Sequence, residues 1–323
     1  MPPFRLIPLL VLYVAIFVAL FVATPHYCEA AHRVLMQGNE KLAIVAADGN
    51  VEWEMKWGGI HDIHVLPSGH IMVQDRMQKI VEIDPKSKEA VWSYDASTAN
   101  GNQGKPIEVH AFQPLENGRM MIAESGPSRI IEIDREGTLL HEVKLKVDQP
   151  SAHRDTRLAR KLKNGNYLAC HEGDGTLREY DGKTGEVVWE FKVPLFDKPR
   201  KGGHGPEAFG NQLFGAVRLK NGNTLIATGN GHSVLEVTPQ KKIVWQLQQN
   251  DLPGITLAWV TTLEVLPNGN YVIGNCHAGP KNPLLFEIEP KSKKVVWKFD
   301  RFDLFGNSAS NSQLLDVKGP VIR

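Results

Sequence analysis

The chain has 323 residues, of which 42% are hydrophobic and 23% charged, a composition that is ordinary for a soluble globular protein. Its 37 Lys and Arg against 36 Asp and Glu give a net charge of +1, which carries no overall signature of a nucleic-acid-binding protein. Three cysteines are too few for a disulfide scaffold. We therefore expect no nucleic-acid partner.

The N-terminus contains a continuous apolar run from Leu6 to Ala23, preceded by Arg5. A basic residue, an apolar run and a small residue at Ala30 are typical of a secretory signal peptide. We therefore predict a signal peptide over residues 1–30 and an extracytoplasmic location, periplasmic or secreted, for the rest. The alternative is an uncleaved anchor, because a run of this length lies at the lower edge of what a spanning helix needs. Only that alternative predicts contact with a membrane.

One phrase recurs five times along the chain. Its copies are VLPSGHIMVQD (65–75), QPLENGRMMIAE (113–124), KLKNGNYLACH (161–171), RLKNGNTLIAT (218–228) and VLPNGNYVIGN (265–275). The shared glycine falls at Gly69, Gly118, Gly165, Gly222 and Gly269. Each copy predicts two strands around a tight turn, and Asn-Gly predicts a hairpin turn whose two central residues both have positive φ.

Two further strands follow each hairpin, such as KIVEID (79–84) and AVWSYD (90–95). Four antiparallel strands in each interval between the shared glycines are typical of a β-propeller blade. A large ring recurs at one register of the fourth strand, namely Trp92, His141, Trp189, Trp245 and Trp297. One aromatic residue per repeat at a fixed position favours packing between blades over ligand stacking.

The two chain ends each hold part of a unit. Residues 33–56 predict three strands with Trp53 at the recurrent position, and residues 310–318 predict one first strand. Joined, they complete a sixth blade and remove the exposed sheet edges. We therefore predict an all-β fold over residues 32–323: one six-bladed β-propeller of four-stranded antiparallel blades, closed by N- and C-terminal strands that share a blade. We expect a monomer in which Cys170 and Cys276 are buried free thiols.

The phrase DGKTGEVVW (181–189) carries a family resemblance. A fourth-strand Trp after a turn with Gly and Lys resembles the repeat of the quinoprotein-like (PQQ-like) propeller superfamily. The resemblance covers nearly the whole chain after residue 30 and implies the scaffold. Quinone-dependent members are similar to eight-bladed rings with an adjacent cysteine pair, whereas this chain has about six blades and no adjacent cysteines. We therefore expect no quinone cofactor.

Strand direction places the short turns at one end of the ring, the bottom, and the long connections at the other end, the top. The long connections are residues 96–109, 194–212 and 301–312. Functional sites are commonly built on long loops of a rigid scaffold. We therefore predict a site at the top mouth of the central channel.

Counting from the shared glycine identifies equivalent positions of the five repeats near that mouth. Eight residues before it, near the top of the innermost strands, lie His61, His110, Arg157, Phe214 and Thr261. Six residues after it, at the top of the second strands, lie Asp75, Glu124, His171, Thr228 and Asn275, and two positions further in the last repeat lies His277. We predict a catalytic set of His61, His110 and Arg157 and a ligand-binding set of Asp75, Glu124, His171 and His277.

Purely structural interpretations compete with this site. His61 alone could be a hydrogen-bonded structural histidine, and Arg157 could form an ion pair between blades with Asp155 or Glu124. The functional interpretation uses the planar guanidinium to hold a carboxylate, sulfate or phosphate. It predicts a small-molecule ligand that is anionic or a carbohydrate. Whether the protein acts on that ligand or only binds it stays open.

A second resemblance concerns chemistry. The six blades and the LPNGN-like phrases are similar to exported arylsulfotransferase-type propellers, which implies group transfer through His61 or His110 with Arg157 as the anion clamp. The chain is much shorter than those proteins and lacks their extra N-terminal β-domain. A metal-assisted lyase or hydrolase is another alternative, with a divalent metal held by candidates His61, His110 and His171.

A non-catalytic glycan- or protein-binding propeller is the third alternative. It predicts exposed aromatic side chains around the mouth, with candidates at Trp57, Phe112, Phe209, Phe214 and Trp259. A catalytic site predicts instead buried ionisable groups that are bonded to one another.

Overall fold

A computed structural model describes residues 31–323, so the predicted signal peptide lies outside the described residues. Residues 31–323 form 24 strands arranged in six four-stranded antiparallel sheets. The helical elements of this range are one α-helix, α1 (Phe302–Phe305), and one 3-10 turn (Glu116–Gly118). None of the helices in this part of the chain is long and apolar enough to span a membrane. The all-β, six-bladed propeller is therefore confirmed.

Five of the six blades each consist of four strands that are consecutive in the chain. Blade 1 contains β4 (Ile63–Val65), β5 (Ile71–Asp75), β6 (Lys79–Asp84) and β7 (Glu89–Asp95). Blade 2 contains β8 (Glu108–Pro114), β9 (Met120–Ser125), β10 (Arg129–Ile133) and β11 (Leu139–Lys144). Blade 3 contains β12 (Ala159–Lys161), β13 (Tyr167–His171), β14 (Thr176–Tyr180) and β15 (Val187–Lys192).

The remaining blades follow the same order. Blade 4 contains β16 (Gly215–Arg218), β17 (Thr224–Ala227), β18 (Val234–Val237) and β19 (Ile243–Leu247). Blade 5 contains β20 (Trp259–Val265), β21 (Tyr271–Cys276), β22 (Leu285–Glu289) and β23 (Lys294–Phe299). Blade 6 combines β24 (Ser312–Leu314) with β1 (Val34–Gly38), β2 (Lys41–Val45) and β3 (Val51–Lys56).

Blade 6 closes the ring with both ends of the described chain. Strand β24 pairs antiparallel with β1, and Val34 lies opposite Leu314. The predicted joining of residues 33–56 with a first strand from residues 310–318 is therefore correct. Closure matters because an open ring would leave a long unpaired sheet edge exposed to water.

The repeat turns differ from the predicted type. Gly69, Gly165, Gly222 and Gly269 have φ between 87° and 90°, but the residues before them do not share this conformation. At the first turn the Gly69 amide donates to the Leu66 carbonyl, and the Leu66 amide donates to the His70 carbonyl. These bonds describe a type I turn followed by a left-handed glycine. The expectation of two positive φ angles was wrong, because the glycine alone supplies the reversal.

The recurrent fourth-strand rings connect neighbouring blades. The indole N–H groups of Trp53, Trp92, Trp189 and Trp245 donate to carbonyls of the next blade at 2.7–2.9 Å, namely those of Pro85, Arg135, Pro239 and Pro290. His141 makes the same bond through Nε2 to the Gly182 carbonyl at 2.7 Å. Trp297 packs edge-on against His32 of blade 6, with ring centroids 4.8 Å apart. The recurrent Trp is therefore an inter-blade connector.

The hydrophobic core lies between the blades. Its buried side chains form clusters that draw on neighbouring blades, as Met72 with Phe112 and Leu35 with Ile63. Cys170 and Cys276 are buried in this core as free thiols, as predicted. Burial raises the pKa of Cys276 to about 12, so it is a protonated thiol at neutral pH.

Candidate functional site

Three of the predicted site residues meet at the top of the channel. Arg157 Nη1 lies 3.3 Å from His61 Nε2 and 3.3 Å from His110 Nδ1, and the rings of His61 and His110 are 4.7 Å apart edge to face. These residues come from blades 1, 2 and 3. The ring architecture thus brings residues that lie one repeat apart in sequence into direct contact.

The local backbone conformation determines the direction in which these side chains point. His110 lies where the register of β8 on β9 shifts between Val109 and Ala111, so it is the extra residue of a β-bulge. Bulges redirect a side chain out of the regular alternation. His61 precedes β4, and its amide is held by Gln74 Oε1 at 3.2 Å. The site therefore rests on the rigid inner strands of the propeller.

Arg157 is the centre of the cluster. It is 5% exposed, and its Nε donates to Glu172 Oε2, just beyond the end of β13 in the same blade. Its Nη2 lies 3.1 Å from Nε2 of His153, which itself is exposed. Arg157 does form an ion pair, but the predicted partners, Asp155 or Glu124, were wrong. The partner is Glu172, which lies nearer along the strand pair.

His61 has one nitrogen in use and one without a partner. Arg157 can only donate, so Nε2 of His61 is the accepting nitrogen and Nδ1 carries the hydrogen. Nδ1 is buried and has no hydrogen-bond partner among the described residues. Burial, the neighbouring His110 and Arg157 together hold the pKa of His61 well below its ordinary value. His61 is therefore a neutral imidazole that offers an unused donor.

His110 faces an acceptor at each nitrogen. Nδ1 lies 2.9 Å from the Thr156 carbonyl oxygen, and Nε2 lies 2.7 Å from Glu108 Oε2. Burial lowers the pKa of His110, while the hydrogen bond to Glu108 opposes that effect. A neutral imidazole carries one N–H and can serve only one of these two acceptors.

Glu108 connects His110 with His153. Its Oε2 is also 2.9 Å from Nδ1 of His153, and the rings of His110 and His153 are 5.5 Å apart. The hydrogen bonds from His110 and then His153 lower the pKa of Glu108 to about 2. Glu108 is therefore a carboxylate at neutral pH, and it reaches solvent beside the exposed His153.

Other predicted ligand-binding residues have partners of their own. Asp75 lies at the end of β5, its carboxylate about half exposed and 4.0 Å from Arg76. Glu124 is buried, accepts from Arg129 at 2.6 Å and from Asn102 at 3.0 Å, and has a pKa raised by burial. The structure does not bring either of them to Arg157, because the second strand of a blade lies behind the innermost one.

His171 and His277 also lie apart from Arg157. His171 has Nδ1 on the Asp155 carbonyl at 2.6 Å and Nε2 on the Tyr180 hydroxyl at 2.7 Å. Burial lowers its pKa to about 4. His277 stacks on His204 at 5.0 Å, and its Nδ1 lies 2.9 Å from the Cys276 sulfur. Both nitrogens of His171 are therefore already in use within the described residues.

The aromatic candidates for an exposed binding surface are mostly covered. Phe112, Phe214 and Trp259 are 0%, 2% and 5% exposed, and Trp57 and Phe209 are both half-buried. Phe214 lies 6.0 Å from the His61 ring and forms the apolar side of the cluster. The mouth thus resembles a set of buried, mutually bonded ionisable groups rather than an aromatic docking surface.

Below the cluster, the channel is filled by a second charge network. Asp62 binds Arg160 through two bonds of 2.7 and 2.9 Å and also accepts from the Phe112 amide. Asp62 and Arg160 are 0% and 7% exposed. Burial alone would raise the pKa of Asp62, but the Arg160 guanidinium holds that pKa far below its usual range. This pair connects blades 1 and 3 beneath the site.

The catalytic and ligand-binding sets predicted from the sequence leave out three members of the cluster: Glu108, His153 and Glu172. Glu108 stands two positions before His110 and ten before Gly118. Counting two residues further back from the shared glycine would have identified Glu108 as a candidate.

Comparison with known proteins adds the family and the fold. The family model described as outer membrane protein assembly factor BamB, a PQQ-type repeat model, matches residues 38–299. No curated protein matches the chain in sequence. The match confirms the PQQ-like resemblance that residues 181–189 carry.

Solved structures share the architecture. A protein of unknown function from Bacteroides caccae has a TM-score of 0.71 and 22% identity, and the alignment covers 89% of this chain and 100% of that one. A streptogramin B lyase has a TM-score of 0.52 and 13% identity, covering 83% and 82%. A virginiamycin B lyase from Staphylococcus aureus, with quinupristin, has a TM-score of 0.52 and 12% identity, covering 85% of each chain. At these identities the likeness is one of fold.

Proposed function

We propose that this chain is an extracytoplasmic propeller that binds a small ligand at the top mouth of its channel. The chain belongs to the propeller family described as outer membrane protein assembly factor BamB. The ligand contacts His61, His110, His153 and Arg157. It is a sugar or a small anion, and the sugar is the better fit. The location rests on the signal peptide proposed for residues 1–30.

The observation that carries this proposal is the unused donor of His61. Its Nδ1 is buried and has no partner within residues 31–323, although Nε2 of the same ring is bonded to Arg157. A buried donor left unsatisfied costs about 1–3 kcal/mol. A hydroxyl or carboxylate oxygen of a ligand would remove that cost, so the site is prepared for a partner that the protein itself does not supply.

The charge balance favours a neutral ligand over a free anion. The cluster holds one guanidinium, Arg157, against two carboxylates, Glu108 and Glu172. The carboxylates therefore outnumber the guanidinium, which disfavours a free anion. Hydroxyl groups can both donate to a carboxylate and accept from His61. The Phe214 ring beside His61 offers an apolar face for the C–H side of a pyranose.

Group transfer through a channel histidine is less well supported. A nucleophilic imidazole needs a lone pair that faces the substrate. Nε2 of His61 accepts from Arg157, and both nitrogens of His110 have partners. The geometry therefore supports binding better than transfer.

A titration of the full-length protein would test the proposal. The probes are D-glucose, D-galactose, D-mannose, D-glucuronate and inorganic sulfate, and the readout is the NMR signals of the histidine rings. We expect at least one pyranose to shift the signals of His61, His110 and His153, and His61→Phe to abolish the shift. The matched control is His70→Phe, because His70 pairs with Glu82 at 2.7 Å at the bottom of blade 1, away from the mouth.

Each result has a defined meaning. No shift with any probe, or unchanged binding by His61→Phe, would overturn the proposal. A response to sulfate alone would overturn the preference for a sugar. Loss of binding in both His61→Phe and His70→Phe would place the binding outside the mouth and would also overturn it.

A further inference from the structure

Three possible metal ligands converge on the outer side of the channel mouth. Within residues 31–323, ligand atoms of Glu108, His110 and His153 all lie within 4.8 Å of one another. Glu108 Oε2 is the common neighbour, at 2.7 Å from Nε2 of His110 and 2.9 Å from Nδ1 of His153. Two imidazoles and one carboxylate are the ligand set of many zinc sites that keep an open position.

His110 is already oriented as a metal ligand. Its Nδ1 lies 2.9 Å from the backbone carbonyl of Thr156, outside the cluster. A metal-bound histidine almost always donates its other N–H to a carbonyl or a carboxylate, which fixes the ring and directs the lone pair at the metal. With the hydrogen on Nδ1, the Nε2 lone pair of His110 points at Glu108.

That arrangement requires a positive species between His110 and Glu108. A lone pair and a carboxylate oxygen 2.7 Å apart repel each other unless a proton or a cation lies between them. Without a metal ion, a hydrogen on Nε2 of His110 fills this position and donates to Glu108. A divalent ion that takes this place leaves the hydrogen of His110 on Nδ1, so that Glu108 and the Thr156 carbonyl are both satisfied.

The cluster can open to accommodate an ion. Tetrahedral ligands at about 2.0–2.1 Å from zinc lie roughly 3.3 Å apart. The two distances from Glu108, 2.7 and 2.9 Å, therefore need to grow by about half an ångström, and the ligand nitrogens of His110 and His153 already lie within 4.8 Å of each other. His110 is fixed, but the Glu108 carboxylate is partly exposed and His153 is mostly exposed, so both can move. Coordination through Nδ1 of His153 moves its hydrogen to Nε2, and the exposed ring then turns away from Arg157.

Charge also favours a cation here. Glu172 is the ion-pair partner of Arg157, and the carboxylate of Glu108 contacts only the imidazoles of His110 and His153, with no Lys or Arg partner among the described residues. A divalent transition ion would satisfy Glu108 and both imidazoles at once.

We infer that Glu108, His110 and His153 form a binding site for a divalent transition metal such as Zn²⁺, with one coordination position open toward the ligand site. This inference deepens the proposed function, on which it rests. Because the rings of His61 and His110 are 4.7 Å apart, one hydroxyl of a bound ligand could coordinate the ion while another accepts from His61. The site differs from the metal set expected from sequence, because it contains His153 and Glu108 in place of His61 and His171.

The test measures zinc binding by the full-length protein. Protein stripped with EDTA is dialysed against ZnCl₂, zinc is quantified by elemental analysis, and affinity is measured by calorimetry. We expect one zinc per chain, and we expect Glu108→Gln and His153→Ala each to weaken binding at least tenfold. His70→Ala is the matched control, because it also removes an imidazole 2.7 Å from a carboxylate, but one without a third ligand. Its affinity should equal that of the unaltered protein.

The outcomes separate this inference from the proposed function. No zinc binding, or equal affinity in Glu108→Gln and the unaltered protein, overturns the metal site. Circular dichroism of each variant checks that the fold is intact, which the partial exposure of both side chains leads us to expect. If zinc fails to bind but a pyranose still shifts the His61 signal, the metal site is refuted and the ligand site stands. If zinc binds as expected and no probe binds, the metal site stands and the ligand proposal fails.

Discussion

Nη1 of Arg157 lies 3.3 Å from Nε2 of His61, although the two residues come from blades 1 and 3 and are far apart in the chain. Because a guanidinium cannot accept a hydrogen bond, this contact fixes the lone pair of His61 on Nε2 and its hydrogen on Nδ1. It thereby creates a buried donor without a partner among the described residues. The ligand proposal follows from that one tautomer.

The first prediction concerns the stability cost of this donor. His61→Phe removes an unsatisfied polar group and places an apolar ring beside Phe214, so its free energy of unfolding should be within about 1 kcal/mol of the unaltered protein, or higher. His171→Phe is the control, because both nitrogens of His171 have partners. It should lose roughly 2–3 kcal/mol or more in urea unfolding. Equal losses in the two variants would contradict the unpartnered state of His61.

The second prediction concerns pH. The folded state holds the pKa of His171 at about 4, below the ordinary 6.5, so the unfolded chain binds the proton first as the pH falls. The stabilisation is complete above pH 6.5 and is lost as the pH falls from 6.5 toward 4. From pH 7 to pH 5 this one group should cost about 2 kcal/mol. Urea unfolding of His171→Gln at both values should show a pH dependence that is smaller by about that amount.

The third prediction concerns the Asp62–Arg160 pair below the site. Asp62→Ala leaves the Arg160 guanidinium buried without its counter-charge and should cost about 3–5 kcal/mol. Glu52→Gln is the matched control, since Glu52 binds Arg33 at 2.6 Å on the surface. It should cost under about 1 kcal/mol. Similar unfolding midpoints for the two variants would show that Asp62 is not the buried partner of Arg160.

The fourth prediction concerns the connectors between blades. Trp245 donates to the Pro290 carbonyl at 2.9 Å and packs edge-on against Tyr271 at 5.5 Å. Trp245→Phe keeps most of the packing and should cost about 1 kcal/mol for the lost bond, whereas Trp245→Ala should cost about 3 kcal/mol or more. Val244→Ala, at an exposed neighbouring position, should change the free energy of unfolding by under about 0.5 kcal/mol. A costly Val244→Ala, or a neutral Trp245→Ala, would contradict the packing role.

The fold was predictable because each repeat carries its own local signals. The turn glycine, the alternating strands and the fourth-strand ring recur in five copies, and two incomplete ends can form only one further blade. The same periodicity predicted that His61, His110 and Arg157 would meet, since equivalent positions of the innermost strands surround one axis. The turn type was wrong because Asn-Gly fits more than one reversal, and the sequence does not say whether Asn also adopts positive φ.

The other contacts of the site could not be predicted by counting residues from the shared glycine. Glu124 and His171 occupy equivalent positions at the ends of second strands, but each points to partners within its own part of the ring, Arg129 for one and Tyr180 for the other. Such partners depend on loop paths that repeat spacing does not encode. The position of His153 depends in the same way on the path of the connection between β11 and β12, which lies outside the repeated phrase.

The most direct test of this account is the tautomer of His61 at pH 7, read from long-range ¹H–¹⁵N NMR spectra of EDTA-treated protein, with His61→Phe identifying the signal. The account predicts a neutral ring with its hydrogen on Nδ1 and its lone pair on Nε2, facing Arg157. A hydrogen on Nε2, or a doubly protonated ring, would contradict it, because Arg157 could then not donate to His61 and the unused donor that the ligand proposal requires would not exist.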